Sequence, residues 1–269
     1  MFHDRLKKWK RHLFYYSMIT VVAISMIISF LRSNVEHIFL CILTLLLFWV
    51  PQLLKRRLKL YIPPIMEAII VVFIVCGIVL GEIANFFVLF PYWDTVLHTL
   101  NGIVCAALSL SLVVLLNKQE KVLFRFSPIF LMLVAISFAM LIGILWEFFE
   151  FSVDCTLNKD MQKDTWIQEI NTVSLSGSTG EVVKISPVER VSINNGEIIL
   201  DGYLDIGLFD TMEDLFVTFI GAVTFNLWAA LYNKKHEGFI LDFLIDTEEH
   251  TKSRLEEESN GKKNNYNQL

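Results

Sequence analysis

Three short stripes of acidic and polar residues carry the chemistry this sequence offers. Asp94, His98 and Asn101 follow one another at helical spacing, as do Glu147, Glu150 and Asp154, and Asp210 with Asp214, a series that Thr218 continues. Separations of three and four residues put each set on one face of an α-helix. Carboxylate oxygens with one imidazole suit Mg, Mn, Ca or Zn, according to geometry, and carboxylates at i, i+3 on facing helices are how helical bundles build di-metal sites. His98, Glu147, Glu150 and Asp214 are therefore the candidate metal ligands, within a candidate polar site of Asp94, His98, Asn101, Glu147, Glu150, Asp154, Asp210 and Asp214. No Lys or Arg lies within the stripes. Carboxylates gathered there need a metal ion, protons or a cationic substrate as compensation. No HExxH, Cys-pair or P-loop pattern accompanies them, and no residue is assigned a catalytic role.

The stripes sit in a chain built for hydrocarbon. Of its residues 54% are hydrophobic and 19% charged, where a soluble domain carries about 25% charge. A bilayer core of about 30 Å calls for roughly 20 apolar residues in a helix. Six stretches approach or reach that length: Phe14 to Leu31, Ile38 to Leu54, Ile62 to Leu80, Trp93 to Leu116, Ile129 to Val153 and Leu215 to Tyr232. The expected fold class is an all-α polytopic membrane protein of six transmembrane helices. The first two form a hairpin, and Pro63 and Pro64 open the third, where N–H groups lack intrahelical partners anyway. The first run follows a basic stretch, as in a signal peptide, but Ser33-Asn34-Val35-Glu36 leads into the next span without a small-residue cleavage site, so the run is read as retained.

Lys and Arg in short loops set the orientation. Arg5, Lys7, Lys8, Lys10 and Arg11 precede the first span, Lys55, Arg56, Arg57 and Lys59 follow the second, Lys118, Lys121 and Arg125 follow the fourth, and Lys234 and Lys235 follow the sixth. The opposite side holds Arg32 in its first loop and no basic residue from Glu82 to Tyr92. The expectation is a multi-pass protein of the cytoplasmic (plasma) membrane with both termini in the cytoplasm. Its parts are a basic N-terminus (1–13), five helices (14–154), an extracytoplasmic insertion (155–209), the sixth helix (210–232) and a charged cytoplasmic tail (233–269). Asn194-Asn195-Gly196, between Val191-Ser192-Ile193 and Glu197-Ile198-Ile199-Leu200, is a hairpin signal, so the insertion should contain a small β element. Ser174 to Gly180 (SLSGSTG) reads as flexible, and the chain from Leu255 onward reads as disordered. Cys41, Cys76 and Cys105 fall inside spans and Cys155 stands alone outside, which implies no disulfide framework.

Depth then links the stripes. The fourth and sixth spans start outside and the fifth ends outside, so all three stripes fall in the outer half of the bilayer. A charge at the bilayer centre costs about 2.5 to 3.5 kcal/mol on insertion scales, and such residues tend to face a bundle interior and serve a function. Simpler roles compete for some of them. Asp210 and Glu67 each suit a helix start, His98 alone would suit a satisfied buried histidine, and Trp93, Tyr92, Trp146 and Trp228 suit a membrane interface. Gly221-Ala222 suits close helix packing.

The blocks Trp93 to Gly102 (WDTVLHTLNG), Trp146 to Asp154 (WEFFEFSVD) and Asp210 to Ala222 (DTMEDLFVTFIGA) resemble the uncharacterised YjdF-like bacterial integral membrane proteins. More distantly they resemble the VanZ-like proteins, some of which are associated with glycopeptide-antibiotic resistance. The resemblance covers the last four spans and implies a shared polar site, with no established reaction. Thr95 follows Asp94 where the VanZ-like pattern favours Lys, and the insertion from Thr156 to Phe209 is long, so a resistance function is not carried over.

Two functional classes follow. In the first, a metal held by some of the acids and His98 acts on a lipid-linked envelope substrate that reaches the site laterally; the absence of Arg or Lys from the stripes counts against phosphate recognition by side chains alone. In the alternative, the acids serve a proton- or cation-coupled transporter, although no Gly/Pro-interrupted pair of spans or inverted repeat marks a midplane site. A non-catalytic envelope or partner-binding membrane protein is a third reading. Membrane lipids are the expected partners, with no nucleic acid. The topology is tested by reporter fusions: those after Leu116 and Tyr232 should read cytoplasmic and one near Gly180 external, and a cytoplasmic Gly180 would remove the outer-leaflet placement.

Overall fold

A computed structural model describes residues 2–58, 60–117, 127–177, 180–233 and 246–247. Among them, six helical stretches are long and apolar enough to cross a membrane: His12–Leu31, Val35–Arg57, Pro64–Ile83, Trp93–Val113, Pro128–Leu157 and Leu208–Leu231. These are the six expected spans; the sixth helix, expected over 210–232 with its apolar run from Leu215, starts at Leu208. Apolarity alone sets that boundary too late, because acids such as Asp210 are stabilised by the positive end of a helix dipole and need not precede the helix. The tail read as disordered from Leu255, and residues 178–179 of the SLSGSTG stretch, lie outside the described residues.

The chain divides into two compact units, residues 1–141 with 217–269, and residues 142–216. In the first, α1 (Phe2–Leu31) and α2 (Val35–Leu47) form the expected hairpin. Asn34 caps α2, its Oδ1 accepting the His37 N–H at 3.0 Å, as N-cap amides do. The second span breaks before α3 (Val50–Leu58), because Pro51 lacks the N–H that the Leu47 carbonyl would take. Helix α4 (Pro64–Ile74) has Pro63 at its N-cap and continues as a π-helical segment, Val75–Ile83. Glu67 lies in the first turn of α4, as expected, is buried, and pairs with Lys55 at 2.8 Å. Val22, Cys41, Phe48, Val71, Val75 and Val79 form the apolar core of these elements. After the short α5 (Phe86–Leu89) comes α6 (Trp93–Asn117), whose Trp93 indole donates to the Cys76 carbonyl of the π-helical segment at 3.2 Å. Two-residue strands, Leu60–Tyr61 and Asp246–Thr247, pair antiparallel.

Helix α6 and the later part of α8 (Leu208–Asn233) meet backbone to backbone. A Cβ at Gly102 would collide with the Thr218 carbonyl, and one at Gly221 with the Thr99 carbonyl. Small residues permit this approach where lipid gives no hydrophobic drive for helices to associate. Ala106 and Ala222 are fully buried alongside them, and the Thr218 hydroxyl donates to the His98 carbonyl at 3.2 Å.

In the second unit, the end of α7 (Pro128–Leu157) and the start of α8 flank the insertion. Its strands are β1 (Thr165–Ile167), β2 (Ile170–Thr172), β3 (Val183–Ile185), β4 (Val191–Ile193), β5 (Ile198–Leu200) and β6 (Tyr203–Asp205). They pair antiparallel as β1 with β6, β2 with β3, and β4 with β5. The Asn-Gly hairpin is present: Ile193 faces Ile198, and Asn194, Asn195 and Gly196 all take positive φ, which Asn and Gly adopt most readily.

The glycine contacts predict a graded response. Gly102→Val and Gly221→Val should each destabilise the protein by about 1 to 3 kcal/mol, the usual range for overpacking, read as a lower unfolding midpoint in detergent. Gly77→Ala, where an added Cβ meets nothing within 4 Å, should be neutral. Equal midpoints for all three would contradict the close approach of α6 and α8.

Candidate functional site

In the second unit, α7 places Glu147 and Glu150 on one face, one turn apart, and α8 adds Asp214. One oxygen from each of these three carboxylates lies within 4.8 Å of the others, and their residues are 3%, 5% and 2% exposed. Both helices are membrane spans, so the cluster lies in segments made for hydrocarbon. Glu150 is held by Trp146, whose indole N–H donates to Oε1 at 2.8 Å. Asp210 and Asp214, one turn apart, also bring one oxygen each within 4.8 Å.

Asp154 and Asp210 have a second task, about 6 Å outward from Glu150 and Asp214 by helix rise. Asp154 accepts the Met161 N–H at 2.7 Å and the Gln162 N–H at 2.9 Å, one on each oxygen. Asp210 accepts the Lys163 N–H at 2.8 Å. Gln162 adds a bond to the Thr211 hydroxyl at 2.6 Å and packs on Gly207, whose φ of +105° and contact with the Gln162 Cβ leave no room for a side chain. Residues 161–163 are thus strapped across the ends of α7 and α8. The capping of α8 falls to Asp205, whose Oδ2 accepts the Phe209 N–H at 2.9 Å. Asp210 is therefore an anchor for the strap and not the cap that its position in the sequence suggests.

The fourth-span stripe belongs to the first unit. Asp94 Oδ1 lies 3.6 Å from His98 Nε2, and His98 is buried. Asn101 turns to its own helix, its Oδ1 accepting the Cys105 thiol at 3.3 Å.

Outside the spans, Asp164 is held above the usual carboxylate range, first by partial desolvation and then by the carboxylates of Asp160, Asp205 and Asp154. The insertion's neck is therefore acidic where it meets water.

Comparison with known proteins bears on the whole of this frame. Residues 13–235 match the family described as predicted membrane protein (DUF2238). The chain belongs to that family. No curated protein and no solved structure matches it. Family membership agrees with the six spans and names no activity.

Sequence reasoning missed Trp146, Gln162 and Thr211. The Trp146–Glu150 bond was signalled by its i, i+4 spacing, which Trp146 shares with the acids. Nothing local marked residues 161–163, because their partners are carboxylates on two separate helices.

Hydrogen bonds to charged groups contribute about 1.5 to 3 kcal/mol each, so Asp154→Ala should release residues 158–165, read as faster amide exchange there; Asp154→Asn, which keeps one acceptor, should release them less. Asp164 adds a pH dependence with a definite sign. A carboxyl whose folded pKa is raised contributes stability that is present below its unfolded value and lost as pH rises through the folded one. Asp164→Asn should therefore stabilise the insertion at neutral pH and have little effect in acid, and the opposite order in a pH series of unfolding midpoints would contradict the repulsion.

Proposed function

We propose that this chain is a multi-pass envelope membrane protein, with both termini cytoplasmic, that binds a divalent cation through Glu147, Glu150 and Asp214 and uses it to act on a lipid-linked envelope substrate. The observation that carries this reading is the mutual approach of three buried carboxylates within membrane spans. At 4.8 Å and an effective dielectric of about 20, each ionised pair repels by about 3.5 kcal/mol. A divalent cation among them would offset that repulsion, as would protons. Metal–oxygen distances of about 2.0 to 2.6 Å place ligand oxygens up to about 5 Å apart, which suits one ion among these three groups. Mg, Mn, Ca and Zn are the candidates. His98 joins the proposal as the imidazole ligand on the depth of its stripe in the sequence alone.

A divalent ion there would polarise a phosphoryl or carbonyl group and supply the positive charge that the stripes lack. The resemblance of the three polar blocks to YjdF-like and, more distantly, VanZ-like proteins supports an envelope setting. The outward placement rests on the Lys and Arg of the short loops.

An ion that binds only the folded state stabilises it by about 2.7 kcal/mol at 100 times its Kd. Wild-type protein in detergent, stripped with EDTA, should therefore unfold at a higher temperature when Mg, Mn, Ca or Zn is restored. Glu150→Gln and Asp214→Asn should lose that gain while being at least as stable as wild type in EDTA, because each removes a repulsion. If no divalent ion shifts wild type, the acids are compensated by protons, as the transport reading requires.

A further inference from the structure

The spans of the first unit hold a second feature, which shares no residue with the carboxylate cluster. Between α4, α6 and α8 lies a cavity of about 310 Å³, lined by Met66, Ile69, Ile103, Ala107, Phe225 and Trp228 among others, with no polar atom on its wall. That volume falls at the lower end of small-molecule sites, about 300 to 1,000 Å³. Met66, Ala107 and Phe225 are buried, while Thr224 and Trp228, which also line it, are exposed. The Phe225 and Trp228 rings, with centroids 5.9 Å apart, make its wall on α8. Spans that cross in alternate directions put the start of the third and the ends of the fourth and sixth on one membrane face. By helix rise, the lining then runs from about 3 Å below that face at Met66 to about 15 Å at Ile103. This is one leaflet of a hydrocarbon core about 30 Å thick. An apolar wall at that depth suits an acyl chain and offers no partner to water or a headgroup.

The same face supplies charge. Glu67 follows the lining residue Met66 and pairs with Lys55 at 2.8 Å, which ties the last turn of α3 to the first turn of α4. Arg56 and Arg57 belong to that last turn and are exposed. With Lys55 engaged by Glu67, they form an exposed basic pair at the shallow end of the cavity. Basic residues just outside a spanning helix attract anionic lipid headgroups, and guanidinium groups match phosphate in a fixed fork.

We propose that this cavity binds an anionic phospholipid, with one acyl chain between α4, α6 and α8 and the phosphate at Arg56 and Arg57. The chain fills space that the side chains of three spans leave open, so the lipid is a packing element of the first unit. A zwitterionic lipid fits the same groove but is held less firmly, because each basic residue near an anionic surface contributes roughly five-fold. On the orientation set by the Lys and Arg of the short loops, the leaflet is the cytoplasmic one; the site itself does not depend on that orientation.

The test is photolabelling of the full-length protein in phospholipid vesicles by phosphatidylglycerol that carries a diazirine midway along one acyl chain, with sites identified by mass spectrometry. Labels should fall on lining residues such as Met66, Ile69 and Phe225. Unlabelled phosphatidylglycerol should compete about five-fold better than phosphatidylcholine, or more. The Arg56→Gln, Arg57→Gln double variant should abolish that preference at an unchanged unfolding midpoint. Val104→Phe and Ile69→Phe, which fill the cavity from half-buried positions on two helices, should each reduce labelling of the remaining lining residues. The arginine pair, being exposed, decides the headgroup even if both filling variants lower the midpoint. Phosphatidylcholine that competes equally well, labels confined to residues outside the cavity, or a preference that survives the arginine replacements would overturn the proposal.

Discussion

Charge compensation in hydrocarbon is the constraint on which this protein turns. Six apolar spans fix the solvent, and within that solvent Glu147, Glu150 and Asp214 hold their oxygens closer than ionised carboxylates tolerate alone. Buried acids of this kind are not retained for stability, since apolar residues of similar volume would serve packing as well or better. Their cost motivates the proposed ligand, a cation within reach of all three oxygens.

The surrounding structure does two separate jobs. In the second unit, the carboxylates one turn farther out grip the backbone of residues 161–163, so that the helix ends that carry the acids are tied by the insertion's own neck, with the β1–β6 ladder directly beyond it. In the first unit, glycines at 102 and 221 bring α6 and α8 into backbone contact, and the Thr218 hydroxyl anchors the α6 backbone at His98.

Much of this was legible in the sequence, for physical reasons. Spans declare themselves because hydrocarbon demands about 20 consecutive apolar residues; the stripes declare themselves because helical spacing is periodic; Asn194-Asn195-Gly196 declares a turn because few residues accept positive φ. Contacts over long separations leave no such trace. Asp154 and Asp210 also hold backbone N–H groups up to 47 residues away, which no local pattern announces. Glu67 reads as a first-turn acid, which it is, but its ion pair with Lys55 of α3 leaves no local trace. The start of α8 was legible to within two residues, because the spacing of Asp210 and Asp214 carries the helix beyond the apolar run that begins at Leu215.

The most direct test of the central claim is elemental analysis of the purified, full-length protein after dialysis against a mixture of Mg, Mn, Ca and Zn. The account predicts close to one divalent ion per chain for wild type and none retained by the Glu150→Gln, Asp214→Asn double variant of the same fold. Wild-type protein that carries no divalent ion, or a double variant that carries as much as wild type, would contradict it.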